Sequence, residues 1–157
     1  PQLVRRIRSM TGIVGLANGN LGQTLVEPLL REGKLLELCR NHIRPYYESK
    51  SQAAQQWLAE ELGNAFPWRV HRSEGAFFLW LWFPELPIAT RELYERLKRR
   101  GVLVVPGEYF FFGLPAGDDW AHRRQCIRLT FSQSEQTVRE GIAILGDELR
   151  KVHAAGS

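Results

Sequence analysis

The pattern of apolar positions predicts a helical first third of the chain. Apolar residues recur at helical spacing over residues 21–30 and again over residues 34–62. Proline removes a hydrogen bond from a helix interior, so we expect Pro28 to interrupt the first helix and Pro45 to kink or break the second. Gly63 should end the second helix. Residues 1–10 also read as helical, whereas the glycine-rich residues 11–23 predict an irregular loop.

The second part of the chain alternates between strand-like and helix-like patterns. Short strands are predicted over residues 68–71, 75–83, 102–105 and 127–131. The strand over residues 75–83 is apolar on both faces, and Phe78, Trp80 and Trp82 share one of them. A strand of this kind should be covered on both sides, by helices on one face and by a second layer or a partner on the other.

Two helices complete the predicted architecture. Thr90 is expected to cap a helix that ends at Gly101, and SQSE at residues 132–135 is a capping-box motif ahead of the last helix. The buried stripe of the last helix should contain Val138, Ile142, Leu145 and Leu149. These elements predict an α+β fold, with a small, mostly antiparallel sheet, helices on one face and a helical N-terminal arm.

Composition and charge narrow the class of protein. Hydrophobic residues make up 44% of the chain and charged residues 24%, as in an ordinary globular protein. The formal net charge is +4, but acidic residues are interspersed in the later helices, which favours solvated helix faces over a nucleic-acid surface. The longest apolar run, residues 76–83, is too short for a membrane helix, and no secretory signal pattern is present. We therefore expect a cytoplasmic protein with no nucleic-acid or membrane partner.

Cysteine and histidine spacing favours neither a disulfide nor a metal site. Cys39 and Cys126 lie far apart and belong to no paired motif, so we expect two buried, reduced thiols. The histidines have no metal-ligand spacing. We therefore expect no metal site.

An arginine within an apolar strand is the strongest candidate for a functional residue. Arg128 follows a strand with a Pro-Gly turn at residues 102–107 and an aromatic stretch at residues 108–112. Burial of an unpaired guanidinium is costly, so an arginine in such a strand normally meets a carboxylate. From the pattern alone, that carboxylate could belong to a ligand or to the chain itself.

The order of these segments resembles the C-terminal part of the fold-type I, pyridoxal-phosphate-dependent aminotransferases. The resemblance rests on GAFFLWLWF at residues 75–83, VVPG at 104–107, FF at 110–111 and QCIR at 125–128. It implies that Arg128 holds the substrate α-carboxylate. It also implies amino-group transfer between a small aliphatic amino acid of the valine or alanine type and a 2-oxo acid of the pyruvate type. The implied cofactor is pyridoxal 5'-phosphate, and the implied assembly is a homodimer.

One departure from the family pattern bears on activity. The Schiff-base lysine motif is absent, and the lysines present lie in other contexts, at Lys34, Lys50, Lys98 and Lys151. We interpret the chain, which starts at Pro1, as a C-terminal piece of a longer enzyme. Residues 1–44 would be a helical arm from the large cofactor-binding domain and the start of the interdomain helix, and residues 45–157 the small domain. The lysine would lie upstream, so we expect no catalytic residue in this piece and no activity from it alone.

Four further residues are candidates for the substrate pocket. Gly75 and Ala76 start the apolar strand, where small residues permit a close backbone approach. Tyr109 and Phe110 could wall an apolar pocket for a branched amino acid. A β-bulge at the first pair and ordinary core packing at the second are the alternatives.

The glycine-rich loop contains two candidates for cofactor binding, Asn18 and Asn20. In the resembled family the corresponding loop approaches the active site of the neighbouring subunit, so these residues would act across a dimer. A simple turn is the alternative.

A non-enzymatic module is the alternative function. The order of elements after residue 74 also suits a ferredoxin-like domain that binds a small ligand or RNA. An RNA-binding sheet would expose Phe78, Trp80 and Trp82 for base stacking, whereas the aminotransferase hypothesis buries them.

Overall fold

The computed structural model describes residues 2–14, 21–113 and 120–156 and divides into two units, Pro1–Ile43 and Arg44–Ser157. The first unit is helical throughout its described residues. Its elements are α1 (Gln2–Val14), α2 (Leu21–Arg31), α3 (Lys34–Leu38) and a π-helical turn (Cys39–Ile43). None of the side chains described in this unit is buried, so this part of the chain has no hydrophobic core of its own.

The first unit departs from the predicted pattern at Pro28. Helix α2 runs through Pro28 without interruption, and the Glu32 N–H donates to the Pro28 carbonyl at 3.0 Å. A proline removes only the hydrogen bond of its own nitrogen, and the helix tolerates that loss here. Helix α1 extends to Val14 and α2 begins at Leu21, so residues 11–14 and 21–23 of the predicted loop are helical. The disturbance expected at Pro45 takes the form of the π-helical turn just before it.

The second unit contains a four-stranded antiparallel sheet and three long helices. Its elements are α4 (Arg44–Leu62), β1 (Arg69–Val70), β2 (Phe78–Trp82), α5 (Thr90–Arg99), β3 (Val105–Pro106), a first 3₁₀ turn (Gly107–Phe110), a second 3₁₀ turn (Ala121–Arg124), β4 (Cys126–Thr130) and α6 (Glu135–Gly156). The strand order is β1-β2-β4-β3, and every neighbouring pair is antiparallel. The predicted α+β class is confirmed.

The two faces of the sheet have different surroundings. On one face, Leu79 and Leu81 of β2 lie opposite Leu129 and Ile127 of β4, and all four are buried in the core. Helix α4 contributes Ala54, Leu58 and Leu62 to this core, α5 contributes Leu93 and Leu97, and α6 contributes Val138, Ile142, Leu145, Leu149 and Val152. The stripe predicted for α6 is therefore confirmed. The other face presents Trp80 opposite Arg128 and is only half-buried.

The strands are shorter than predicted. Strand β2 begins at Phe78 and not at Gly75, because Ala76 turns the chain with a φ of 64°, in the left-handed region. Strand β3 contains only Val105 and Pro106, and the latter has no N–H to extend the ladder.

The C-terminal ends of helices α4 and α5 were predicted correctly, whereas the N-terminal caps of α5 and α6 were not. Helices α4 and α5 end before Gly63 and Gly101, both at positive φ, as predicted. Thr90 does not cap α5; its hydroxyl is buried without a hydrogen-bond partner in the part of the chain that the structure describes. At α6 the capping hydroxyl belongs to Ser134 and not to Ser132, since the Thr137 N–H donates to Ser134 Oγ at 3.2 Å.

Across the described ranges, no helix combines the length and apolar character needed to span a membrane.

Candidate functional site

Arg128 lies at the centre of the sheet, on the face away from the main core. It is the middle residue of β4, and it is paired with Trp80 of β2 and with Val105 of β3. Side chains alternate along a strand, so Arg128 points away from its buried neighbours Ile127 and Leu129. Arg128 is half-buried. Solvent and a small ligand can therefore reach its guanidinium.

The Arg128 guanidinium contacts the faces of two aromatic rings. Its Cζ atom is 4.2 Å from the ring centroid of Phe78 and 4.9 Å from that of Phe110. Within the described residues, Arg128 makes neither an ion pair nor a hydrogen bond. Guanidinium N–H groups lie in the plane of the group and match the two oxygens of a carboxylate. Aromatic rings of the chain therefore contact the Arg128 cation. None of the residues that the structure describes pairs a carboxylate with it.

An aromatic wall borders the guanidinium on the same face of the sheet. Phe110 meets Trp80 edge to face, with ring centroids 5.3 Å apart, and Phe111 meets the same ring at 6.0 Å. The wall continues through ring contacts among Phe111, Trp120, His122 and Trp82. Trp80 and Trp82 are therefore half-buried beneath other rings and are not free stacking platforms.

The first 3₁₀ turn positions Phe110 over the sheet. Gly107 lies against β4 so closely that a Cβ atom there would be 2.6 Å from Cys126 Cβ and 2.7 Å from its carbonyl oxygen. The carboxylate of Glu108 accepts a hydrogen bond from Arg91 Nε at 2.6 Å, which ties the turn to α5. Tyr109 faces Arg91, whose Cζ is 5.6 Å from its ring centroid.

The structure brings only part of the predicted site together. Phe110 contacts Arg128, whereas the ring contact of Tyr109 is with Arg91. Among described residues, no hydrogen bond, ion pair or ring contact joins Gly75 or Ala76 to Arg128. A Cβ at Gly75 would meet no atom within 4 Å, so the close approach expected there occurs at Gly107 instead.

Two predicted residues and one residue that was not predicted remain. Asn18 and Asn20 lie outside the described residues. The sequence identified Phe78 only as a strand residue, because its contact with Arg128 depends on the pairing of β2 with β4. The alternation of side chains along β2 indicates which residues share a face with Trp80. It does not give the register of β2 against β4, on which the contact between Phe78 and Arg128 depends.

Cys126 lies beside this face with its thiol close to an imidazole. Its sulfur is 3.4 Å from Nε2 of His122. Burial raises the pKa of Cys126 to about 11, and a contact with Trp80 opposes this shift in part. The thiol is therefore protonated at neutral pH. Cys39, in contrast, is half-exposed, so only one of the two expected buried thiols is buried.

On a second charged surface, arginine side chains are paired with acidic side chains of the same chain. A cavity of about 360 Å³ is lined by Glu92, Arg96, Arg99, Arg100 and Glu148. Arg100 donates to Asp147 at 2.6 Å and to the buried Glu148 at 2.7 Å, while Arg96 donates to Glu92 at 2.7 Å. Arg96 and Arg100 are therefore satisfied by acidic side chains of the chain itself, unlike Arg128.

No lysine amino group of the chain is without a contact in the described part of the structure. Lys34 is paired with Glu32 at 2.6 Å, Lys151 with Asp147 at 2.7 Å, and Lys98 lies over the Tyr94 ring. Lys50 is buried, and its ammonium group donates to the carbonyls of Ser132 and Gln133. Nor do the described residues include a cluster of three or more His, Cys, Asp or Glu side chains suited to a metal ion.

Comparison with known proteins points to the aminotransferases. The valine–pyruvate aminotransferase of Escherichia coli strain K12 is 36% identical over 157 residues, which cover 98% of this chain and 36% of that protein. The crystal structure of valine-pyruvate aminotransferase AvtA from Salmonella typhimurium LT2 matches with a TM-score of 0.85 and 37% identity, over 99% of this chain and 39% of that one. No protein-family model matches the chain.

A third match is to a protein crystallised with a bound compound. LysN, an α-aminoadipate aminotransferase from Thermus thermophilus, was crystallised with N-(5'-phosphopyridoxyl)-L-leucine; it matches with a TM-score of 0.74 and 26% identity, over 99% of this chain and 37% of that one. The chain spans about a third of the length of the curated relatives it matches. By sequence and by fold, the chain therefore matches a segment of known aminotransferases, consistent with a C-terminal fragment of a fold-type I aminotransferase.

Proposed function

We propose that this chain is the substrate-carboxylate-binding part of a pyridoxal-phosphate-dependent aminotransferase. The full-length protein would transfer an amino group between a small aliphatic amino acid, of the valine or alanine type, and a 2-oxo acid of the pyruvate type. The observation that carries the proposal is the Arg128 guanidinium, which contacts the faces of two rings and has no anionic partner among the described residues. A carboxylate supplied by a substrate would complete this site.

The surroundings of Arg128 favour an apolar substrate side chain. Trp80, Phe110 and Phe111 line the same face of the sheet and offer aromatic surface next to the guanidinium. Apolar surface of this kind binds an aliphatic side chain by excluding water. Ala76, whose left-handed φ is uncommon for a residue other than glycine, borders the start of β2 and remains a candidate for the pocket edge, as does Gly75.

Most of the residues that hold the cofactor would lie outside this chain. Pyridoxal 5'-phosphate supplies the electron sink of transamination when bound, while the protein orients the substrate. In that division of labour, Arg128 would bind the carboxylate and fix the orientation of the substrate Cα–H bond. We further propose a cytoplasmic homodimer, in which Asn18 and Asn20 would approach the cofactor of the neighbouring subunit.

Replacement of Arg128 in the full-length protein tests the proposal. Arg128→Ala removes one partner of a desolvated, charge-assisted pair, a loss of roughly 3–5 kcal/mol. Since about 1.4 kcal/mol corresponds to tenfold in rate, kcat/KM for valine and alanine should fall by about 10² to 10⁴. Arg128→Lys should also be poor, because an ammonium group cannot reproduce the bidentate fork.

Amines without a carboxylate provide the control for this experiment. Their turnover should change little in Arg128→Ala, and thermal stability should be retained, because no ion pair among the described residues is broken. If amines lose as much activity as amino acids, or if the melting temperature falls sharply, Arg128 has a structural role and the proposed function is wrong.

The isolated chain is expected to be inactive. Its lysine amino groups are engaged with carboxylates, carbonyls or an aromatic ring, so the 157-residue chain should form no stoichiometric adduct with pyridoxal phosphate. Borohydride reduction followed by mass spectrometry measures such adducts. A single reduced adduct at full occupancy on Lys34, Lys50, Lys98 or Lys151 would contradict this expectation.

A further inference from the structure

Two aromatic rings contact the Arg128 guanidinium through their faces, and the N–H groups of the guanidinium make no hydrogen bond within the described part of the chain. Phe78 reaches it from β2 at 4.2 Å and Phe110 from the first 3₁₀ turn at 4.9 Å. A cation is attracted to the face of an aromatic ring, whereas a carboxylate accepts hydrogen bonds from the guanidinium edge. The two kinds of contact therefore do not compete for the same atoms.

We propose that Phe78 and Phe110 form an aromatic clamp that positions Arg128 for carboxylate capture, an inference that rests on the proposed function. Arginine has many rotamers, and a free side chain loses that freedom when it binds a ligand. Nothing else in the described part of the chain restrains this guanidinium by a hydrogen bond or an ion pair. The rings are thus the groups that order Arg128 before the ligand arrives.

Each ring is itself held in place by neighbouring aromatic residues. Phe78 contacts Phe77, which in turn contacts Tyr47 of α4 with ring centroids 4.4 Å apart. Phe110 meets Trp80 at 5.3 Å and at an interplanar angle of 86°. Both clamp rings nevertheless remain partly open to solvent, at 38% exposure for Phe78 and 39% for Phe110. Each clamp ring is therefore packed against a neighbouring ring and is also partly exposed to solvent.

Substitutions of Phe110 separate the ring face from simple apolar packing. Phe110→Leu keeps an apolar side chain but removes the π face, and Phe110→Tyr keeps both. Phe112→Leu is the matched control, because Phe112 is 87% exposed on the same loop and has no ring contact with Arg128. All three variants are made in the full-length protein, and proton NMR spectra establish that each is folded.

The experiment measures the Arg128 Nε–Hε group by NMR during titration with acetate, against sodium chloride at equal ionic strength. In the wild-type protein, this group should be ordered, shifted by ring currents and saturably perturbed by acetate. Phe110→Leu should remove the Phe110 contribution to the ring-current shift, lower the order parameter and weaken acetate binding by about twofold to fivefold, the range of an exposed cation–π contact. Phe110→Tyr should restore all three properties, and Phe112→Leu should match the wild type.

The outcomes distinguish the clamp from the carboxylate site itself. If Phe110→Leu retains wild-type order and wild-type acetate affinity, the clamp is wrong while the proposed function stands. If order is lost but the acetate affinity is unchanged, the rings have no positioning role. If Arg128 in the wild-type protein does not respond to acetate at all, the proposed function fails, and the positioning role fails with it.

Discussion

The thiol of Cys126 is buried on β4 next to the candidate site, and its protonation can be tested. Its pKa is raised to about 11, so at pH 8 it holds about a hundredfold less thiolate than an ordinary thiol with a pKa of 9.0. In a Cys39→Ser chain, we expect Cys126 to react with iodoacetamide slower than a model thiol by about that factor. Rapid alkylation at pH 8 would instead indicate a thiolate stabilised by His122, which lies 3.4 Å away.

The same shift predicts a pH dependence of stability. The folded state holds the Cys126 proton more tightly than the unfolded state, so the stabilisation is fully present below about pH 9 and is lost as the pH rises towards 11. Urea denaturation of the Cys39→Ser chain over this range measures the slope. The slope should be smaller in a chain that also carries Cys126→Ala, and an unchanged slope would assign it to other groups.

Among single residues, the sequence predicted Arg128 and Phe110, which lie in contact, but it did not link Phe78 to Arg128. Arg128 could be recognised because a charged residue in an apolar strand is costly without a partner. Phe78 could not be assigned to it, since that contact needs the register of β2 against β4, which local sequence does not determine. Tyr109, a further candidate for the pocket, makes its ring contact with Arg91.

The first 3₁₀ turn is the element that depends most on a single glycine. In Gly107→Ala, the added methyl group would lie 2.6 Å from Cys126 Cβ, a distance that forces the turn away from β4. Overpacking of this kind typically costs about 1–3 kcal/mol, and we expect that loss in the free energy of unfolding measured with urea. The displaced turn should also carry Phe110 away from Arg128 and so reduce the ring-current shift of Arg128 to the part that Phe78 produces.

Gly75→Ala is the matched control for this prediction. A Cβ at Gly75 meets no atom within 4 Å, so the unfolding free energy should change by no more than about 0.5 kcal/mol. Equal losses at both glycines would show that the close approach at Gly107 is not what holds the turn.

Helices and strands with a strong periodic pattern could be predicted from the sequence. The residues at which they begin and end could be predicted only in part. The stripe of α6 and the glycine ends of α4 and α5 follow from side-chain spacing and backbone freedom. The start of β2 did not, because Ala76 adopts a left-handed φ that its sequence gives no reason to expect. Nor did the cap of α6, where SQSE offers two serines and the Thr137 N–H donates to the second of them, Ser134.

At the scale of the whole chain, the order of elements in the sequence predicted the α+β class. It did not predict which strands pair with each other. The alternation of short apolar runs with helices indicates a sheet covered by helices. The order β1-β2-β4-β3 places the last strand between two earlier ones, and only packing across the sheet decides that arrangement. The aromatic covering of the second face likewise arises from loop residues whose ring contacts reach across the sheet.

The first unit gives the last prediction, because its leucines lie exposed on helices that lack a core. The exposed fraction is 73% for Leu21, 65% for Leu25, 59% for Leu30 and 42% for Leu38. Apolar surface beyond a few hundred Å² is unusual on a monomer, so we expect the 157-residue chain to self-associate at micromolar concentration. Sedimentation velocity over a range of concentrations measures this, with residues 44–157 alone as the control that should stay monomeric. A concentration-independent monomer for the full 157 residues, or equal association of the shortened chain, would show that the first unit is not the associating surface.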